Sequence, residues 1–468
     1  MLDKTCIPGA GRISGNGLAW AVVVLMAASA TTGWFVLNKA LFDHHYLAAR
    51  DLGFFTQSLW NAMEGNGLRT TIGATGDHLF GEHVYLSHWL LLPVYYAAPH
   101  PYTLLFLQSA AVSAAAVGGY AVSRALSLPR LESLLMAAAL LAHPSMHGTA
   151  TGQSLYGYHP DALMPALFLF AFYAYFRARR PLFWGLVFVS LITAEQYAVV
   201  WAGIAVYLYW IRERRDAVLL ASLSVAWLLM GTKLVLLLTL GSDQGPWYHS
   251  ALEFPEDPSR YLAALERGGL YAVKHLVLFC MLPVATLLPL ALVPMVGLFV
   301  QAEAFGYTVP LGVMSWHAAA VVPVLFISSV IALVWLRRRF PARRGWVLIG
   351  LLIWVPGLLV TSLRYAYWVD VEPMPPDRRA AWSEIRGVVP GDASVSATLF
   401  AASHLTHRID LYLFPRIADA EYVVVDRRER ISLNRKQHRR LASLRDSARW
   451  MRLFDKAGFV VFRRAEVP

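Results

Sequence analysis

Charge is scarce in this 468-residue chain: 15% of it is Asp, Glu, Lys or Arg, while 57% is hydrophobic. Soluble chains run to about a quarter charged and about half apolar. A mean hydropathy of +0.47 is too apolar for a surface that faces water throughout. Cysteine is scarcer still. Cys6 precedes the first apolar block and Cys280 lies inside a later one, so no disulfide is expected between them. Two thiols also exclude a thiolate-rich metal cluster. The period-2 alternation of a membrane barrel is missing too, which leaves helices to satisfy the backbone inside lipid.

In their place stand long apolar blocks. A bilayer core of about 30 Å needs roughly 20 apolar residues as helix. Leu18–Leu37 supplies them without one charge, and Ala217–Leu240, Ala318–Leu336 and Trp346–Leu363 are similar, with Lys233 interrupting the first of these three. Leu131–Ala142 is a shorter block of the same kind. The fold class expected is an all-α polytopic membrane bundle with a small C-terminal α/β domain.

A formal net charge of +11 raises nucleic acid as a partner, but its placement argues against that. The arginines sit in four short linkers: Arg124 and Arg130; Arg177, Arg179 and Arg180; Arg212, Arg214 and Arg215; and Arg337, Arg338, Arg339, Arg343 and Arg344. This is the positive-inside pattern, which predicts those linkers in the cytoplasm and the chain in the plasma (inner) membrane. With Lys4 and Arg12 ahead of the first block, the N-terminus is expected inside and residues 38–100 outside. Ala28-Ser29-Ala30 has the look of a signal-peptide cleavage site, but the apolar block runs past it to Leu37. Pro181–Ile211 is flanked by basic linkers at both ends, so parity asks for two short spans with Glu195 near the outer turn. Tyr271–Val300, with Pro283, Pro289 and Pro294, takes the same answer. The sum is about eleven spans.

From Asp370 the apolar blocks stop, and Pro373, Pro375 and Pro376 read as a linker. Strands are expected at Ser394–Thr398, Leu411–Phe414, Tyr422–Asp426 and Phe459–Phe462, with a helix inside Ile431–Leu453. The chain thus divides at 369/370 into a transmembrane domain with a large outer loop and a soluble α/β domain, placed outside by the span count.

That outer loop is unusually rich in ionisable and aromatic residues. Leu52, Phe55, Leu59 and Met63 fall at helical spacing, predicting a short amphipathic helix at the membrane interface with Asp51 at its N-terminus. Capping is the plainer role for Asp51 there. His78, Glu82, His83 and His88 raise metal ligation, although Gly81 and the missing His-Glu-x-x-His pattern weigh against it. No cofactor is assigned, and a divalent metal stays open. His159-Pro160-Asp161 opens a span, and Glu195 lies in an apolar stretch where an ionisable group is costly. Lys233 and Arg364 are candidates for meeting a phosphate, with snorkelling as the plainer role.

The run Asp51-Leu52-Gly53-Phe54-Phe55-Thr56-Gln57-Ser58-Leu59-Trp60-Asn61, His78, His83, and His159-Pro160-Asp161 resemble an uncharacterised family of predicted prokaryotic membrane proteins. Ser394–Thr398, His404–Arg408 and Tyr422–Asp426 resemble its C-terminal segment. The family is similar in layout to the GT-C glycosyltransferases. That resemblance implies transfer of a sugar from a polyprenyl-phosphate-linked donor to an acceptor on the outer face. It implies Asp51 as general base; His78, Glu82, His83, His159, Asp161, Glu195, Lys233 and Arg364 are the candidates toward substrate. Related sequences often carry Lys-Glu where this chain has Ala194-Glu195, which removes one phosphate partner. Two alternatives stand beside this reading: a transporter or flippase, and a non-enzymatic membrane assembly protein. Intramembrane acids of a transporter favour the bilayer midplane.

Overall fold

The structure is a computed structural model, and it describes residues 17–73, 77–151, 155–240, 266, 269, 272–286, 316–364 and 371–465. Within these residues five helices are long and apolar enough to cross a membrane: Gly17–Asp43, Pro101–Ala125, Arg214–Thr239, Val321–Arg339 and Pro341–Arg364. Shorter apolar helices cover Pro160–Phe176, Arg180–Thr193 and Tyr197–Trp210. The helical membrane bundle is as expected, but eleven spans are not reached among the described residues. The two-span reading of Tyr271–Val300 falls largely outside the described residues. For Pro181–Ile211 the structure has two short apolar helices that meet at a turn carrying Glu195.

In chain order the bundle helices are α1 (Gly17–Asp43), α2 (Phe54–Met63), α3 (His88–Ala97), α4 (Pro101–Ala125), α5 (Arg130–Ala142), α6 (Pro144–Ala150), α7 (Met164–Phe176), α8 (Arg180–Thr193) and α9 (Tyr197–Trp210). They continue with α10 (Arg214–Ala226), α11 (Thr232–Leu240), α12 (Val321–Arg339) and α13 (Arg344–Arg364). Helix α4 is central: 67% of its most apolar window is buried, against 11% for α1. Small residues allow this. A Cβ at Gly118 would lie 2.9 Å from Leu169 Cβ on α7, and one at Gly119 would lie 3.0 Å from the Phe326 ring on α12. The apolar side chains that α1 leaves exposed, such as Leu18, Leu25 and Val36, suit contact with lipid.

Direction follows from where each helix begins. Helix α7 starts just after Asp161 and ends before Arg177; α8 starts at Arg180 and ends beside Glu195. Helix α9 leaves that turn and ends before Arg212, and α12 ends in Arg337–Arg339, where Arg337 pairs with Glu132 at the start of α5. The basic turns therefore gather at one end of the bundle, with Glu132, Glu213 and Asp216 among them, and Asp161 and Glu195 lie at the other.

The C-terminal part is an α/β unit: α14 (Pro376–Val388), β1 (Val395–Ala397), α15 (Leu399–Ala402), β2 (Leu411–Leu413), β3 (Tyr422–Asp426), α16 (Arg435–Arg445), β4 (Trp450–Lys456) and β5 (Phe459–Arg464). Its sheet order is β2-β1-β3-β5-β4; β1 runs parallel to β2 and β3, and β5 antiparallel to β3 and β4. Both faces are covered, which explains the unbroken apolar run of β3. Val423, Val425, Val460 and Phe462 pack with Leu441 and Leu444 of α16. Val395, Val424 and Val461 instead join the core that contains Leu52, Phe55 and Leu59 of the 38–100 loop.

Two expectations need correction here. Pro376 is no linker residue; it opens α14, where the missing N–H costs nothing at the first helical position. The helix expected inside Ile431–Leu453 ends at Arg445, because Trp450 onward hydrogen-bonds to β5 as an edge strand. Gly458, at φ +92°, makes the reversal between them.

Arg378 anchors α14 to the sheet. Its guanidinium donates to Asp426 Oδ2 at 2.7 Å and to the Ala457 carbonyl at 3.0 Å, and it lies 4.5 Å from the Phe459 ring centre. Arg378→Lys keeps the charge but not this fork, so it is expected to lower stability by about 1–2 kcal/mol. Denaturant or thermal melts of the full chain check this, and an unchanged midpoint would remove the fork from the account.

Candidate functional site

Asp51 lies in a single wide turn, Ala49–Gly53, of π-helical hydrogen bonding just before α2. Such turns commonly mark functional positions. The capping role is overturned: the residue at the cap of this turn is Ala48, that of α2 is Gly53, and neither carries a side-chain cap bond. Among the described residues the half-buried Asp51 carboxylate has no hydrogen-bond partner. Burial lifts its pKa to about 6; Glu82 and Asp161 add to the rise, while His159 and Arg50 oppose it.

The turn is held against residues 155–159. Leu52 N–H donates to the Tyr156 carbonyl at 3.0 Å, and Gly157 lets the two segments touch, since a Cβ there would lie 2.9 Å from Leu52 Cβ. Gln108 on α4 fixes the same segment, donating to the Ala150 and Gly157 carbonyls, each at 3.0 Å, and accepting from His159 N–H at 2.8 Å. His159 and Asp161 are thereby brought to Asp51. His159 Nδ1 stands 2.9 Å from Asp161 Oδ2, and Gln196 Nε2 donates to Asp161 Oδ1 at 3.3 Å.

From the other side comes residues 82–88. Glu195 receives His83 Nδ1 at 2.7 Å and Val84 N–H at 2.8 Å, tying this stretch of loop to the α8–α9 turn. Burial opposes charge on His83, but Glu195 outweighs it and holds the imidazole pKa above its ordinary value. Tyr85 lies between, with ring centres 5.2 Å from His83 and 6.4 Å from His159; burial and the surrounding carboxylates keep its hydroxyl protonated well beyond the usual range. The His83–Glu195 pair predicts a pH signature. A histidine pKa raised by folding gives stability that is full below about 6.5 and is lost as pH rises through the folded value. Thermal melts from pH 6 to 8.5 should show that loss, and Glu195→Gln should flatten it. A wild-type melt independent of pH in this window would contradict the pairing.

Other candidates fall elsewhere. His78 caps the short turn Leu79–Gly81, its Nδ1 accepting from Phe80 N–H at 3.0 Å. It does not share a helical face with Glu82, because no helix continues there. No three His, Cys, Asp or Glu among the described residues gather into a metal-sized cluster. Lys233 is exposed on α11 and Arg364 is exposed at the end of α13; no hydrogen bond or ion pair joins either to the acidic site among the described residues. The helix expected at the membrane interface is real but misplaced. Phe54–Leu59 of α2 are buried, pressed between the loop and the sheet.

Sequence reasoning overlooked Tyr85, Gln108 and Gln196, which frame the site. Gln108 had a signal: an amide alone in the apolar run 102–122. It also overlooked how the sheet closes the site. Gln57 donates to the Ile409 carbonyl at 2.9 Å and accepts from Thr71 N–H at 3.0 Å, and the Thr71 hydroxyl exchanges bonds with Leu411 N–H and C=O at 2.8 and 2.7 Å. That covers the free edge of β2. Trp60 stacks on His407, and His45 on His404.

No curated protein matches the chain. A family profile does, over residues 43–461, which takes in both the acidic loop and the sheet that closes over it. The chain belongs to that family, DUF2079, described as predicted membrane proteins.

Proposed function

We propose that the chain is a GT-C-like glycosyltransferase, moving a sugar from a polyprenyl-phosphate-linked donor to a hydroxyl acceptor, with Asp51 as general base. One observation carries the reading: an unpaired carboxylate, half-buried, whose pKa of about 6 lies near working pH. A base must be deprotonated yet willing to take a proton, and that poise is optimal near the operating pH. His83, whose charged form Glu195 favours, is a candidate to meet a departing phosphate, a task left open by Ala194. Its dispersal over two span ends and a loop suits a site open to the membrane surface. The gathering of Asp51, Asp161 and Glu195 at one end rather than at mid-bundle speaks against a transporter. The arginine-rich turns support placing that other end in the cytoplasm, with the sheet outside.

The test is transfer of a radiolabelled sugar from polyprenyl phosphate in membranes holding wild type or Asp51→Asn. Undiminished transfer by the variant would remove Asp51 from the chemistry.

A further inference from the structure

At the end of the bundle away from Asp51, α12, α13 and the segment with Cys280 and Leu282 line a cavity of about 380 Å³. Its walls are apolar, with Leu333, Leu336, Val347, Leu351 and Trp354, and Arg343 stands in its lining. Residues 304–369 contain no Asp or Glu, so the five arginines of the α12–α13 turn find no acid nearby in sequence. Arg337 is taken by Glu132. Arg339 and Arg343 are different: their guanidinium carbons lie 5.5 and 5.9 Å from the centre of the same Phe340 ring, and neither has an acidic partner among the described residues. Two cations drawn to one ring beside an apolar crevice favour an anion within reach of both. Trp346, 71% exposed beside them, has the amphipathic character of a headgroup-level anchor.

We propose that this crevice is a site for an anionic phospholipid, with its phosphate between Arg339 and Arg343 and an acyl chain along α12 and α13. Free phosphate would satisfy the arginines but leave the apolar walls empty; a zwitterionic lipid would fill the walls but bring a cation to the arginines. The site is independent of the reaction proposed for Asp51, which lies at the other end.

The experiment uses the full chain in nanodiscs with a phosphatidylglycerol carrying a photoreactive acyl chain, and maps the labelled peptides. Labelling on α12 and α13 is expected, with a phosphatidylcholine probe labelling them several-fold less. Arg339→Gln with Arg343→Gln should cut the phosphatidylglycerol labelling by about tenfold. Gly350 lines the crevice and has no atom within 4 Å of a built Cβ, so Gly350→Phe should fill it and abolish labelling with the arginines intact. Equal labelling by both lipids, or labelling indifferent to the arginine pair, would overturn the proposal. So would full competition by inorganic phosphate, which would mark a soluble-anion site instead.

Discussion

Asp51→Asn should lower sugar transfer by about 10²–10⁴-fold, the usual contribution of a positioned general base, and should make the protein more stable. The second effect follows from the same burial. A carboxyl with a folded pKa of about 6 and an ordinary value of 3.8 binds its proton more tightly in the folded state. Stability therefore falls as pH rises from about 4 to about 6 and stays lower above that. Asn has nearly the same shape and no charge to desolvate, so at pH 7 to 8 the variant should gain on the order of 1–3 kcal/mol. A helix cap predicts the opposite sign, a loss of about 1 kcal/mol. Transfer assays and thermal melts on one pair of proteins thus separate a base from a structural acid. Wild-type transfer should also rise with pH through about 6 and then level off. Loss of transfer together with loss of stability would point to a structural carboxylate.

That Asp51 stands beside a short helix in a polar loop was legible; the shape of the turn that holds it was not. Its place after a polar loop and before Leu52, Phe55 and Leu59 fits a cap and a base equally well. What speaks against the cap is the wide turn at Ala49–Gly53, which makes Gly53 rather than Asp51 the residue before α2, and no residue pattern announces such a turn. The Glu195 turn was readable because arginines flank both ends of a stretch about 30 residues long, and parity leaves no other path. Strands β1, β2, β3 and β5 were readable from branched residues buried on both faces. Strand β4 was not, since on an exposed edge its Arg452, Asp455 and Lys456 disguise the alternation. Pro375-Pro376 misled for a simple reason: the same dipeptide ends one structure and begins another.

The interface between loop and sheet was invisible for a different reason. Its partners stand about 340 residues apart, as Thr71 and Leu411 do, and no local spacing records them. It also carries the second large effect. Gln57 is fully buried and bonded through both ends of its amide: Oε1 accepts from Thr70 Oγ1 and Thr71 N–H, each at 3.0 Å, and Nε2 donates to Thr71 Oγ1 at 3.1 Å and to the carbonyls of Arg408 and Ile409. Gln57→Leu fits the volume but leaves a buried N–H and a carbonyl without their partners, each worth about 1–3 kcal/mol. A loss of about 2–5 kcal/mol is expected. The consequence should reach Asp51, because a Cβ built on Gly53, two residues along, lies only 3.2 Å from Thr406 Cγ2 of the sheet segment. Once the sheet no longer presses on that turn, the carboxylate loses its fixed aim, and transfer should fall although no reacting group has changed. Hydrogen exchange at Thr71 and Leu411 should quicken in Gln57→Leu while exchange in α4 stays slow. If both amides keep their protection, or transfer survives their exposure, the sheet is a passenger on the loop rather than the clamp that holds Asp51 in place.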